Sequence, residues 1–282
     1  MNKLLNAGFA RLWKNKIFWV GMICLPCMMA LILFCNYYDS VKYFDSKYSN
    51  EGFLCGIFLL IGVFTAVFAS LFLGTEYSDG TLRNKLIVGQ NRIEIYLASL
   101  IICFSATLLV CAASILVTFA LSIPLFGLPQ DPLIPLLLQY GIGILMMASL
   151  SSLFTLMATL ITSKPISVVT CTLSIFLLLF AAVYMMQRLD SPEFWYGFYE
   201  MTPNGETVPR NPYPNPMYLR GTARTVFSFL LDFLPTGQSL QLSQSPVGNE
   251  NLHPLRMCLC SILFTSGTTL GGIFAFQRKD LK

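Results

Sequence analysis

Six apolar runs, each as long as a helix needs to cross a lipid bilayer, constrain this chain more than any other feature. A hydrocarbon core of ~30 Å takes roughly 20 apolar residues in helical form. Runs of that kind occupy approximately residues 17–35, 53–73, 95–123, 135–162, 165–187 and 255–276. The third and fourth exceed the minimum, so tilting or extension past the bilayer is expected, and Pro26 predicts a kink in the first. With 55% hydrophobic and 11% charged residues, a water-soluble globule is excluded. The expectation is an all-α integral membrane protein: six transmembrane helices, an N-terminal interfacial helix, and a long extracytoplasmic loop before the last helix.

Charge sets the sidedness. With a cytoplasmic N-terminus, the inner segments carry Lys3, Arg11, Lys14, Lys16, Arg83, Lys85, Arg92, Lys164, Arg278, Lys279 and Lys282. The short outer loops then carry only Lys42 and Lys47. Positive charge held inside in this way predicts that both termini are cytoplasmic. The chain divides as a single transmembrane domain over 1–282: an interfacial helix at 1–16, five spans within 17–187, an extracytoplasmic loop at 188–254, a last span at 255–276 and a cytoplasmic tail at 277–282. In the first segment Leu5, Phe9, Leu12 and Trp13 share a helical face, which suits a helix lying on the leaflet. In the loop, Pro192, Pro203, Pro209, Pro212, Pro214, Pro216, Pro235 and Pro246 argue against a further crossing. Apolar residues at helical spacing there predict an amphipathic helix over 217–234, resting on the outer mouth of the bundle or on the outer leaflet.

Several chemistries are excluded by what is missing. The single histidine, His253, rules out a histidine-rich metal site, and the chain has neither a GxxxxGK[ST] phosphate loop nor a GxSxG elbow. A net charge of +4, scattered at the ends of spans, gives no nucleic-acid surface. The cysteines lie mostly within apolar runs, which reads as buried thiols, and Cys24-x-x-Cys27 has no redox context. Cys35 and Cys55 fall near the expected outer face, where the two could approach each other, and the spacing leaves open whether they pair. No ionisable residue sits at a span centre, so an ion-driven carrier lacks its usual site. Gln139 and hydroxyl side chains supply the deep polarity, and Gly56, Gly62, Ala66 and Ala69, or Gly141 and Gly143, suit close helix packing.

One compact polar island interrupts this greasy chain: GTEYSDGTLRNKLIVGQNRIE, residues 74–94. Asp79-Gly80 is a turn signal, Thr81 is placed to cap a short helix, and Gly89 is placed to end it. Asn91 with Glu94 has the spacing of a capping box opening the next span. The segment therefore reads as span, turn, short helix, turn, span, a rigid knob bearing Glu76, Asp79, Gly80, Thr81, Arg83 and Lys85.

That island resembles the loop after the second span in the permease subunits of type-2 ABC exporters. The motif of a Glu, three residues, Gly-Thr and a basic residue falls on Glu76, Gly80, Thr81 and Arg83. Gln90-Asn91-Arg92 stands where many relatives have a proline-containing turn. The N-terminal helix, six spans, large loop before the last, and terminal Phe-x-Arg-Lys-Asp-Leu (Phe276 to Leu281) follow the same order. The resemblance implies a coupling helix docked on a separate ABC ATP-binding subunit that binds the ATP and Mg, with no cofactor, metal or catalytic residue in this chain. It further implies pairing with a second permease copy or a paralogue in the plasma membrane. Arg83 and Lys85 would meet acidic groups of the ATPase, and Glu76 would orient the loop. The competing reading is a non-transporting scaffold or sensor that binds a ligand through its outer loop.

Overall fold

The computed structural model describes residues 1–43, 54–127, 133–195, 199–201, 207–209, 213–244 and 252–279. Lys47, Lys282, the Asp280-Leu281 end of the terminal motif, and Pro203, Pro212 and Pro246 of the long loop lie outside them. Among the described residues the elements run α1 (Asn2–Lys14), α2 (Lys16–Tyr43), α3 (Ile57–Ser78), α4 (Thr81–Ile87), α5 (Arg92–Phe126), α6 (Leu133–Leu160) and α7 (Lys164–Asp190). Four short strands follow, β1 (Phe194–Trp195), β2 (Tyr199–Met201), β3 (Thr207–Pro209) and β4 (Tyr213–Pro214), and then α8 (Thr222–Phe233), α9 (Pro235–Gln244) and α10 (Pro254–Arg278). β1 pairs antiparallel with β4, and β2 with β3.

Six helices, α2, α3, α5, α6, α7 and α10, are long and apolar enough to span a bilayer, one for each apolar run. At 35 residues α5 is roughly 52 Å long, more than an upright helix needs to cross a ~30 Å hydrocarbon layer, as the length of its apolar run predicts. α2 continues through Pro26. α3 is the central span: 67% of its apolar window is buried, against 22% for α7 and for α10, whose other faces are left to lipid or a partner. It packs on α5, α6 and α7, while α10 lies against α6 and α2 against α5.

The core is built from Phe58, Ile61, Phe68 and Phe72 of α3 meeting Leu150 and Phe154 of α6 and Cys171 and Ile175 of α7. Close approach of α6 and α3 depends on Gly143, where a Cβ would lie 2.3 Å from the Phe58 ring; Gly141 has open space beside it and has no such role. Gly143→Val is therefore expected to force the two helices apart at a cost of about 1–3 kcal/mol. Unfolding in mixed micelles would measure that loss, with Gly141→Val as the near-neutral control. Hydroxyls bond mostly back to their own helices, but Ser149 and Ser152 of α6 also reach Thr265 and Thr268 of α10, at 3.0 and 2.7 Å. Such polar contacts hold spans together where lipid supplies no hydrophobic drive. Cys55 is buried with its Sγ 3.2 Å from Gln139 Oε1, and Cys35 is exposed, so the two turn to different surroundings.

The long loop carries more order than its prolines suggest. α8 begins later than expected, at Thr222, and Pro235 then starts a second helix that the apolar spacing gave no reason to expect. α9 is largely buried, with Gln238 and Leu242 fully so, and packs among α3, α6 and α7 at the end of the bundle opposite α4. It closes that end as an inserted plug.

Candidate functional site

The polar island folds as a knob. α3 ends at Ser78, Gly80 turns the chain at φ 65° and α4 begins at once. Only glycine takes that left-handed geometry without cost. Gly80 itself occupies the cap position, so Thr81 does not cap α4 as its spacing suggested. The Thr81 hydroxyl instead donates to the Glu76 carbonyl at 3.2 Å, one of the carbonyls that the end of α3 leaves open. At the other end Gly89 N–H bonds to Leu86 O at 2.9 Å and Gln90 N–H to Lys85 O at 3.1 Å. With Gly89 at φ 86°, this is the Schellman termination expected there. Asn91 Oδ1 accepts from Ile93 N–H at 3.2 Å and starts α5. The other half of the capping box does not close, because Glu94 binds the Met1 ammonium at 3.0 Å instead.

Packing and charge fix the knob to the bundle. Leu82 is buried with Ile95, Tyr96 and Phe276, which seats α4 on the start of α5 and the end of α10. Behind it, Glu76 is buried, and its Oε1 accepts from Arg11 Nη1 at 2.5 Å and Lys85 Nζ at 2.8 Å. Arg11 also donates to Phe72 O and Thr75 Oγ1, and its guanidinium lies 4.5 Å from the Phe72 ring centre. One carboxylate thus joins the N-terminal helix, the central span and the knob. A cation on each side offsets the cost of burying that charge.

The C-terminal segment fastens the same end. Lys279 Nζ donates to Thr159 O at 2.6 Å and Leu160 O at 3.0 Å, the open carbonyls ending α6, and Tyr77 OH donates to Thr159 O at 2.6 Å. Burial, which disfavours the ammonium form, lowers the Lys279 pKa to about 8. Arg92 in turn donates to the carbonyls of Phe276, Gln277 and Lys279. These bonds tie the ends of α6 and α10 to the root of the knob.

The predicted site residues separate into two sets. Glu76 is buried and Lys85 half-buried on it, so Lys85 is engaged within the chain rather than held out for a partner. Asp79, Thr81 and Arg83 are exposed. Sequence reasoning missed Ile87 and Val88, which are 72% and 77% exposed at the tip. Their position directly before Gly89 was the available signal, since the last turn of so short a helix has no face to bury both. Arg11 was also missed, because it lies 65 residues from Glu76 along the chain.

A second polar cluster stands at the opposite end. Asp232 is buried, its Oδ2 accepting from Arg256 Nε at 2.5 Å and its Oδ1 from Gln241 Nε2 at 2.9 Å. Gln238 ties α9 to Met257 O and to the Ser261 hydroxyl of α10. Beside them a cavity of about 350 Å³ is lined by Asp190, Arg224, Ser228, Asp232, Gln241 and His253 among others.

Residues 4–181 match the family described as ABC-2 family transporter protein, and that match spans more than half of the chain, from α1 through most of α7. The chain belongs to the ABC-2 transporter family. A search of curated proteins gave no match. As an ABC-2 permease it is a multi-pass membrane component of an ABC transporter and is not itself a nucleotide-binding domain; such permeases generally work with ATP-binding subunits. The matched region contains the whole knob and its Arg11–Glu76–Lys85 clamp.

Proposed function

We propose that this permease moves its substrate outward through the plasma membrane, driven by ATP hydrolysis on a separate subunit that grips the α4 knob at the cytoplasmic face. The carrying observation is the pair of large apolar side chains, Ile87 and Val88, held exposed at the tip of a helix that Leu82 and Lys85 fasten to the bundle. An apolar tip with Arg83 one helical turn before Ile87 is suited to a groove in a partner protein, with the charge setting the register. Nucleotide belongs on the partner: Asp79 beside the first turn of α4 would repel phosphate there, and Mg would accompany the ATP. Both termini lie in the cytoplasm, by the charge asymmetry of the loops. The poorly buried α7 and α10 leave surface for a second copy or a paralogue across the substrate path.

In this scheme closure of the ATP-binding subunits pushes on the tip. The load passes through Glu76 to α3 and α1, and through Tyr77 and Lys279 to α6 and α10. In that relay this chain contributes rigid positioning, since such links transmit displacement only while their contacts hold.

Affinity purification from the native membrane in mild detergent tests the proposal. Wild-type chain is expected to retain an ATPase. Arg83→Glu, and separately Ile87→Asp with Val88→Asp, should reduce that retention at least about 10-fold, the effect of losing one interface anchor, with insertion and yield unchanged. Retention of the ATPase by both variants would overturn the docking role of the knob. A chain that emerges alone even after crosslinking would favour the sensor reading, with the 350 Å³ cavity at the far end as its ligand site.

A further inference from the structure

The bundle carries a groove on its side where α2, α3 and α7 diverge. It encloses about 440 Å³ and is apolar along its length, running beside α2 from Ile17 to Met28, with Phe64 and Val67 on the α3 wall and Phe176 on the α7 wall. Gly21 sets its floor: a Cβ there would lie 2.2 Å from the Phe64 ring, so α2 and α3 meet closely below while the groove stays open above. Cys24 lies on its α2 wall and is exposed.

Its extent identifies its occupant. The rise from Ile17 to Met28 is about 16 Å at the helical 1.5 Å per residue, about half of a ~30 Å hydrocarbon layer. The groove therefore spans one leaflet, the leaflet on the α4 side, and a single acyl chain has that length. The end of the groove at Ile17 adjoins a cationic and aromatic rim. Lys14 and Lys16, on either side of the break between α1 and α2, are exposed and have no ion-pair partner among the described residues. Trp13 and Trp19 pack at 5.9 Å at the same level, 52% and 45% exposed, as side chains at a membrane surface do. An acyl-length slot ending at two unpaired lysines is complementary to a lipid whose headgroup is negative.

We propose that this groove binds one anionic phospholipid, an acyl chain along α2 and α3 and the headgroup phosphate between Lys14 and Lys16. The bound lipid braces the junction of α1 and α2, one turn from the Arg11 that holds Glu76. The inference rests on the bilayer-spanning assignment of α2, α3 and α7 and is independent of what docks on α4.

Native mass spectrometry of the full chain, released from mild detergent and titrated with phosphatidylglycerol or phosphatidylcholine, reads the site directly. One phosphatidylglycerol is expected to stay bound in clear preference to phosphatidylcholine. Lys14→Gln with Lys16→Gln should lower that preference about 30-fold, near 5-fold for each charge removed, and leave phosphatidylcholine binding as it was. Cys24→Trp, which fills the groove from one wall, should abolish retention of both lipids. Equal retention of the two lipids by wild type, or a preference unchanged in the lysine variant, would overturn the proposal. A chain-to-chain disulfide forming through Cys24 on oxidation in membranes, with Cys27, Cys35 and Cys258 replaced by alanine, would overturn it too, by showing a second copy in the groove. Unchanged melting temperatures of the variants confirm that binding alone was altered, and none of these readings involves ATP.

Discussion

Glu76→Ala is expected to unfasten α1 from α3 and α4 in a single step. Removing the carboxylate leaves Arg11 and Lys85 facing each other across a space that is only part-solvated, since both side chains are about 30% exposed. Breaking a buried charge cluster by deleting its shared partner costs about 3–5 kcal/mol, because the remaining charges stay desolvated and lose their counter-ion. Unfolding in mixed micelles should show that loss, and hydrogen exchange should show it concentrated in α1 and α4. Arg11→Ala and Lys85→Ala should each cost less, because Glu76 keeps one cation in either variant. Adding Arg11→Met to Glu76→Leu should return part of the stability, since an apolar pair of similar volume removes both the orphan charge and the cavity. A loss below about 1 kcal/mol for Glu76→Ala would mean that water supports these groups and that the clamp is no stronger than an ordinary surface pair.

Asp232→Ala should have an effect of the same size at the other end of the bundle. Asp232 is buried and holds Arg256 of α10 and Gln241 of α9, while its backbone carbonyl accepts from Gln238. Without it the Arg256 guanidinium keeps, among the described residues, only the Ser228 hydroxyl, at 2.9 Å, with two thirds of its side chain still covered. About 3–5 kcal/mol of stability is again at stake, and the plug helix α9 is expected to open first. Amide exchange along α9 should accelerate strongly in Asp232→Ala and recover in the double variant that adds Arg256→Met. Exchange in α9 that matches the wild type would show that apolar burial alone holds the plug.

The two clusters differ in how visible they were beforehand. Glu76 stood out because it breaks a long charge-free run and sits four residues before Gly80-Thr81. Its role as a loop-orienting group could be anticipated, but its partner Arg11 could not, since the spacing of α1 only says which face is apolar. Asp232 fell within the helix expected over 217–234 and Arg256 at the start of the last expected span, but their spacing gave no sign that they pair, and α9 has a polar composition that no hydropathy pattern marks as buried. Thr81 is a smaller instance: the spacing suited a cap, but the left-handed turn at Gly80 took that position and redirected the hydroxyl to Glu76 O.

By itself the sequence determined the six spans, the short helix between the second and third, and the turns that bound it. These follow from local physics, because a backbone in lipid must satisfy its own hydrogen bonds as helix and a left-handed turn needs glycine. Tertiary structure decided which buried charges meet, why Lys85 turns inward while Arg83 stays out, that Ile87 and Val88 are left uncovered, and that a polar helix plugs the far end. Arg11–Glu76 and the seating of the polar helix depend on contacts between segments tens of residues apart or more. Lys85–Glu76, nine residues apart, depends on how the turn at Gly80 folds α4 back on α3. Hydropathy and spacing do not say which partner a side chain will find.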